Sequence, residues 1–427
     1  MIDDRNLKHA QQLEKDFKWS EAADQYVQLL NEVSFSTYIC ERAGWCLSRA
    51  GKYNDSIIYF KKLYELEPHS AKWPYLIGYQ YYSQEEWDKA IYWFKKALLI
   101  YPDYFVVKYR LAYAYIKSIG NYKKLTKAEY WIAMQHLKDC HCLWDTFDES
   151  KKQKERSTYY DINFLHGKIL MDLPNYRNEA IRRFQIALDI KPTNEFAKYN
   201  LAKTYFLNGD YEKAKKNLPI SNKYYVVELS AFIDSKLGDN ENAITTILKL
   251  LDKNKKDYLF RFLAEIYLLT NNIDKAYIMA QQSVLYGQNN HKNYHILAKV
   301  YYHYGLLNKA IGYLNKAIAL KKTNYGSAYE ECDILRENIL SKMHIDYYDD
   351  ENLLEKLQKL SITKSKQGTI CRYNSEKGFG FIKSAPKDIF FHVSNCKYKG
   401  VSVGDFVQFK TIITDKGIMA VDVIKLK

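Results

Sequence analysis

Residues 71–104 read AKWPYLIGYQYYSQEEWDKAIYWFKKALLIYPDY. Two helical patterns are joined by a short turn. Gly78 stands at the eighth position, Trp87 at the seventeenth, Ala90 at the twentieth, Phe94 at the twenty-fourth, Ala97 at the twenty-seventh and Pro102 at the thirty-second. Small residues at positions eight, twenty and twenty-seven let helices cross closely, and large apolar residues fill the grooves between them. Proline then closes the second helix, because it cannot continue the hydrogen-bond ladder.

The same frame recurs along the chain. Residues 37–70 carry Gly44, Tyr53, Phe60 and Pro68, and residues 195–228 carry Ala202, Gly209, Tyr211 and Ala214. Gly238 and Ala243, then Ala264 and Ala276, then Ala298, Gly305, Ala310 and Ala317 continue it. Near 160–194, Gly167, Ala180, Phe184, Ala187 and Pro192 fit with one inserted residue, and the start fits weakly through Trp19, Ala22 and Tyr26. From about 119 to 158 the period breaks, and the polar run DTFDESKKQKERS reads as an exposed loop between helices or as a bend separating two sub-arrays. The pattern resembles the tetratricopeptide repeat, with about nine repeats over residues 1–342, the last stretch (326–342) being a capping helix. That resemblance implies a mainly α chain, a right-handed superhelix of helix pairs, and a concave groove that holds a protein or peptide.

In that family, the second, fifth, ninth and twelfth positions of each first helix face inward. Here they hold Tyr75, Tyr79, Tyr82, Tyr109, Tyr113, Tyr199, Lys203, Phe206, Lys292, His295, Lys299 and Tyr302. An aromatic and basic lining suits an extended peptide with acidic groups, and also single-stranded nucleic acid. The chain has 40 tyrosines, so any one of these positions has a bland alternative reading. The lysine and asparagine pattern that clamps a C-terminal carboxylate is absent.

At about Lys366 the pattern changes. Glycine becomes frequent, and GTICRYN, GFGFIKS, KDIFFHVS, DFVQFKTII and IMAVDVIKL read as five short strands, which suits an OB-type barrel over 366–427. Between the repeats and the barrel, 343–365 reads as an acidic and helical linker. Its cluster Asp346, Asp349, Asp350 and Glu351 could cover a basic barrel surface. Alternate residues of a strand share a face. Lys377, Phe379 and Phe381 are therefore expected on one side of one strand, with Gly378, Gly380 and Ile382 on the other. Phe390 and His392 form a second pair on the next strand. Exposed phenylalanines are costly unless something covers them, and bases stack on such platforms while lysines hold phosphates. Residues 366–427 hold 11 Lys and Arg against 5 Asp and Glu, a much denser positive charge than the rest of a chain whose net charge is +14.

These residues also carry a resemblance to the cold-shock domain. The run Lys377, Gly378, Phe379, Gly380, Phe381, Ile382 is similar to that family's first motif. Asp388 leading through Phe390 and Phe391 to His392 is similar to its second. The resemblance implies single-stranded nucleic-acid binding, RNA ahead of DNA, through Arg372, Tyr373, Lys377, Phe379, Phe381, Lys383, Phe390 and His392. Two positions depart from the family. Arg372 stands where a stacking tryptophan is usual, and Val393 where a third platform aromatic is often found.

Seven cysteines, odd in number and irregular in spacing, argue against a disulfide framework and for a reducing compartment. MIDDRNLKHAQQLEKDF has no apolar core of a signal peptide, and no stretch of about 18 apolar residues occurs. A cytoplasmic protein without membrane segments is the expectation. His136, Cys140, His141 and Cys142 are the densest group of metal-type ligands, but no CxxC pair accompanies them and no metal or other cofactor is expected. No P-loop, GxSxG, GxGxxG or HExxH pattern occurs, so catalysis is not expected. The sequence thus points to an adaptor that joins a nucleic acid to a protein. The alternative is a protein scaffold whose barrel has lost nucleic-acid binding.

Overall fold

A Cβ on Gly78 would lie 2.7 Å from the ring of Phe94, nearer than two carbons can sit. The same contact recurs between Gly44 and Phe60 and between Gly167 and Phe184. Position eight is small because the phenylalanine of position twenty-four fills the space above it, and all three rings are fully buried. This is the packing that sets the repeat.

The computed structural model describes residues 4–32, 36–120, 128–343, 349–353, 357, 365–384, 388–414 and 417–426. The chain forms two compact units, Met1–Ile220 and Ser221–Lys427.

The first unit contains α1 (Asp4–Lys15), α2 (Trp19–Glu32), α3 (Thr37–Arg49), α4 (Tyr53–Leu66), α5 (Lys72–Ser83), α6 (Trp87–Ile100), α7 (Phe105–Ile119), α8 (Ala128–Thr146), α9 (Glu149–Met171), α10 (Arg177–Ile190), α11 (Glu195–Asn208) and α12 (Tyr211–Asn217). The helical part of the second contains α13 (Tyr224–Lys236), α14 (Asn240–Lys253), α15 (Asp257–Leu269), α16 (Ile273–Tyr286), α17 (His291–His303), α18 (Leu307–Tyr325) and α19 (Glu330–Leu340). Successive helices pair, so the described residues give nine pairs followed by α19, as the periodicity predicts.

One reading needs correction. The polar run after Trp144 is not an exposed loop. The side chain of Asp148 accepts from the Lys151 N–H at 2.8 Å and caps α9, which runs through Glu149–Met171. Lys152 reaches back to Glu149 at 3.2 Å. An N-cap followed by straight-chain residues favours helix, and a polar helix face has the composition of a loop.

The acidic cluster also has a use that its composition hides. The Asp349 carboxylate accepts from the backbone N–H groups of Asn308 (3.1 Å) and Lys309 (3.0 Å), so it caps the first turn of α18 from afar. Leu357 is buried in the apolar core built by α13 to α19. Asp349 is therefore engaged with a repeat helix; Asp346 lies outside the described residues.

The barrel comprises β1 (Lys366–Asn374), β2 (Phe379–Lys383), β3 (Ile389–His392), β4 (Phe406–Thr414) and β5 (Gly417–Lys425), closed in the order β1-β2-β3-β5-β4. All pairings are antiparallel except β3 with β5. Ile370, Ile382, Ile389, Phe391, Val407, Phe409, Ala420 and Val423 fill the interior.

One polar residue is buried beside that core. Asp405 accepts from the Tyr398 hydroxyl (2.9 Å) and the Ser402 N–H (3.0 Å), and pairs with Lys425 at 2.6 Å. Lys425 above all, then the Ser402 and Tyr398 hydrogen bonds, lower its pKa to about 2. A carboxyl depressed below its unfolded value of about 3.9 stabilises the fold above that pH and ceases to as pH falls to the folded value. The barrel is expected to lose stability between about pH 4 and pH 2. Asp405→Asn should flatten that dependence in a series of thermal melts across this range.

Candidate nucleic-acid interface

In β2, Gly380 and Ile382 point inward while Phe379 and Phe381 remain half-exposed on the outside. In β3, Ile389 and Phe391 point inward while Phe390 and His392 lie outside. The register pairs Phe379 with His392 and Phe381 with Phe390. Three rings and an imidazole are thus brought onto one outer face. The Phe390 ring centroid is 5.8 Å from those of both Phe379 and Phe381. His392 Nδ1 is bound to Ser394 Oγ at 2.8 Å, which fixes the ring orientation.

The motif's first residues are not strand. Lys377 and Gly378 belong to the turn between β1 and β2. The Lys377 N–H donates to Asn374 Oδ1 at 2.9 Å, and Gly378 takes φ +65°, a left-handed conformation that favours glycine. The Gly378 carbonyl accepts from the Val393 N–H at 2.7 Å, tying the turn to the end of β3. Lys377 is therefore exposed at the platform's edge by turn geometry and not by strand alternation. Lys383 is exposed at the far end of β2.

Arg372 and Tyr373 separate. Simple alternation from the buried Ile370 would turn Arg372 inward and Tyr373 outward. An irregularity between Ile370 and Arg372 shifts the register and reverses this. Tyr373 stacks on the buried Phe391 at 6.0 Å and packs, partly buried, against the core. Arg372 lies outside, paired across strands with Phe381. Its guanidinium carbon sits 4.7 Å over the Phe381 ring, and an Nη donates to Asp388 Oδ2 at 3.2 Å. The part played by Asp388 was not legible from the motif, because the contact crosses three strands.

The groove positions fall into separate groups. In the first unit, Tyr75, Tyr79, Tyr82, Tyr109 and Tyr113 are half-buried on α5 and α7. Arg110, which the inward-position rule omits, lies 4.1 Å over Tyr79 and within 6 Å of Tyr75 and Tyr82. A cavity of about 330 Å³ there is lined by Arg49, Arg110, Tyr75, Tyr79 and neighbouring hydroxyl groups. Burial, then the nearby Tyr75 and Glu155, raises the Tyr104 phenol to about 12. Tyr199, Lys203 and Phe206 are half-buried on α11, with Phe206 packed on Tyr211 at 5.6 Å.

In the second unit, Lys292, His295 and Lys299 of α17 line a cavity of about 530 Å³ together with Arg261, Lys321 and Tyr329. Four permanent cations face two carboxylates there, Glu265 and Glu331. His295 lines this cavity from a buried position. It is 6% exposed, and its Nδ1 is 2.9 Å from the Tyr329 hydroxyl. Burial, then Lys299 and His291, lowers its pKa to about 4. Tyr302 is not among the cavity's lining residues and accepts a hydrogen bond from Lys342 at 3.1 Å.

The metal-type cluster disperses. Cys140 is buried with Sγ toward the Phe105 carbonyl, and Cys142 is exposed. His141 Nε2 is 2.9 Å from His166 Nδ1. Among the described residues no group of three or more His, Cys, Asp or Glu could hold a metal ion. All seven cysteines are free. Among the described residues no helix is long and apolar enough to cross a membrane.

Comparison with known proteins agrees with this architecture. Residues 366–426 match the family described as "'Cold-shock' DNA-binding domain". Residues 42–105 and 197–218 match tetratricopeptide-repeat families. Cold shock protein CspA of Staphylococcus aureus (strain USA300) is 42% identical over 65 residues, 14% of this chain and 98% of that protein. The protein of the same name from Staphylococcus saprophyticus gives the same values. Among solved structures, pilF of Pseudomonas aeruginosa has a TM-score of 0.40 at 15% identity, covering 58% of this chain and 99% of its own.

Proposed function

We propose that this chain, which belongs to the cold-shock family through residues 366–426 and carries tetratricopeptide repeats before it, is a non-enzymatic adaptor between a nucleic acid and a protein. The barrel holds single-stranded nucleic acid, RNA ahead of DNA. The repeat array, taken as residues 1–342 with a linker at 343–365, holds an extended peptide with acidic groups. The observation that carries the reading is the outer face bearing Phe379, Phe381, Phe390 and His392, bounded by Lys377 and Lys383. Rings on a solvent-facing strand face stack with bases, and the flanking ammonium groups neutralise phosphates. The cavity lined by Lys292, Lys299, Arg261 and Lys321 supports an acidic peptide partner. The free thiols support a reducing, cytoplasmic setting.

Titration of the full chain with labelled, unstructured ribo- and deoxyribo-oligonucleotides tests this. The two lysines at the platform's edges, Lys377 and Lys383, are expected to give a log–log salt slope of about −1.4. No detectable binding at low salt would sink the proposal. Equal affinity for both sugars would remove only the preference for RNA.

A second reading has one observation behind it. Arg372 already lies over Phe381, where a base would otherwise stack. If the guanidinium closes the platform, the barrel is a protein-binding module. Oligonucleotides then fail to bind, and pull-downs return a protein partner free of RNA.

A further inference from the structure

We propose that Arg372 and Asp388 form a guanine-reading subsite on the barrel, resting on the nucleic-acid reading above. Arg372, Phe381 and Phe390 form one row across β1, β2 and β3, through the pairs Arg372 with Phe381 and Phe381 with Phe390. The guanidinium reaches over the middle ring and is held there by Asp388. The Asp388 bond engages one Nη, and among the described residues no other protein acceptor takes up the rest of the fork. The Arg372 side chain is 69% exposed, so those donors are open to a ligand.

Two features turn this arginine toward a base and away from a phosphate. Its charge is already balanced by a carboxylate 3.2 Å away, which weakens its pull on a phosphate while leaving the N–H donors intact. It is also tethered over the platform's second ring, beside the surface on which a base stacks. A base lying on Phe390 would present its edge to the guanidinium in the same row. An arginine fork donates only, and matches two adjacent acceptors. Guanine offers that pair at O6 and N7, and couples it to the stacking area of a purine. Cytosine has adjacent O2 and N3 acceptors but a smaller ring and an amine beside N3. Uracil offers no adjacent acceptor pair. The tryptophan common in the family at this position can stack but cannot make such a pair.

The experiment uses the full chain and short oligouridines that carry one central guanosine, inosine, 7-deazaguanosine, adenosine or cytidine. Guanosine is expected to bind about tenfold more tightly than uridine, as a bidentate arginine–guanine pair would give. Inosine keeps O6 and N7 and should retain the gain, while 7-deazaguanosine lacks N7 and should lose most of it. Arg372→Met should still bind oligouridine but show no guanosine preference. Asp388→Asn should reduce the preference several-fold. Equal binding of all central bases, a cytidine optimum, or a guanosine preference that survives in Arg372→Met would overturn the subsite. If Arg372→Met leaves base preference unchanged and only the salt dependence alters, Arg372 is a phosphate contact and the subsite is wrong. Failure of every oligonucleotide to bind overturns the broader nucleic-acid reading instead.

Discussion

The double substitution Phe379→Ala and Phe381→Ala is expected to weaken single-strand binding by about 2–4 kcal/mol, a loss of 30-fold or more, since a base–aromatic stack is worth ~1–3 kcal/mol and loss of the Phe381 ring also takes away the seat of the Arg372 guanidinium. The barrel should stay folded. Both rings lie outside, and the core contacts of β2 come from Gly380 and Ile382. Binding titrations beside thermal melts check the two halves of this expectation. The single change Phe391→Ala offers a useful contrast. Phe391 is fully buried at the centre of the barrel core, so its loss should unfold the domain, not merely disable the surface.

Gly380→Ala is expected to destabilise the barrel strongly. A Cβ there would lie 2.3 Å from the Arg372 carbonyl oxygen and 2.6 Å from the Phe391 ring. The first contact is with backbone, so no side-chain rotation relieves it, and β1 and β2 would have to part. Overpacking of this kind costs ~1–3 kcal/mol, a large share of the few kcal/mol that a barrel of about sixty residues has in reserve. Gly312→Ala is the control. It lies in α18, its Cβ meets nothing within 4 Å, and the change should be neutral or stabilising by up to about 1 kcal/mol. Limited proteolysis of the full chain separates the cases, with Gly380→Ala cleaved selectively after residue 365 and Gly312→Ala behaving as wild type.

The repeats were legible because their signal is local and repeated. Gly78 and Phe94 sit sixteen positions apart in one frame, and the structure shows them touching. The barrel was legible for another reason. Alternation alone separates Phe379 and Phe381 from Gly380 and Ile382, and the burial along β2 follows it. The sequence reading failed where contacts are non-local or the phase of alternation slips. The irregularity after Ile370 reverses the faces of Arg372 and Tyr373, and no residue type there announces it. Arg110 among the tyrosines, Asp388 beneath Arg372 and Asp349 on the end of α18 all depend on elements far apart in the chain. The polar start of α9 shows the opposite error. A solvated helix face has the composition of a loop, and its cap at Asp148 was the signal that could have distinguished them.

The central claim is that the outer face of β2 and β3 is where a single strand lies. Photocrosslinking of the full chain to a 4-thiouridine oligonucleotide, followed by mass-spectrometric mapping of the crosslinked peptides, tests it most directly. The expected result is crosslinks confined to the peptides carrying Phe379, Phe381, Phe390 and His392, and abolished by excess unlabelled strand. Crosslinks that fall only on the helical repeats, or that persist undiminished in the double alanine variant, would contradict it.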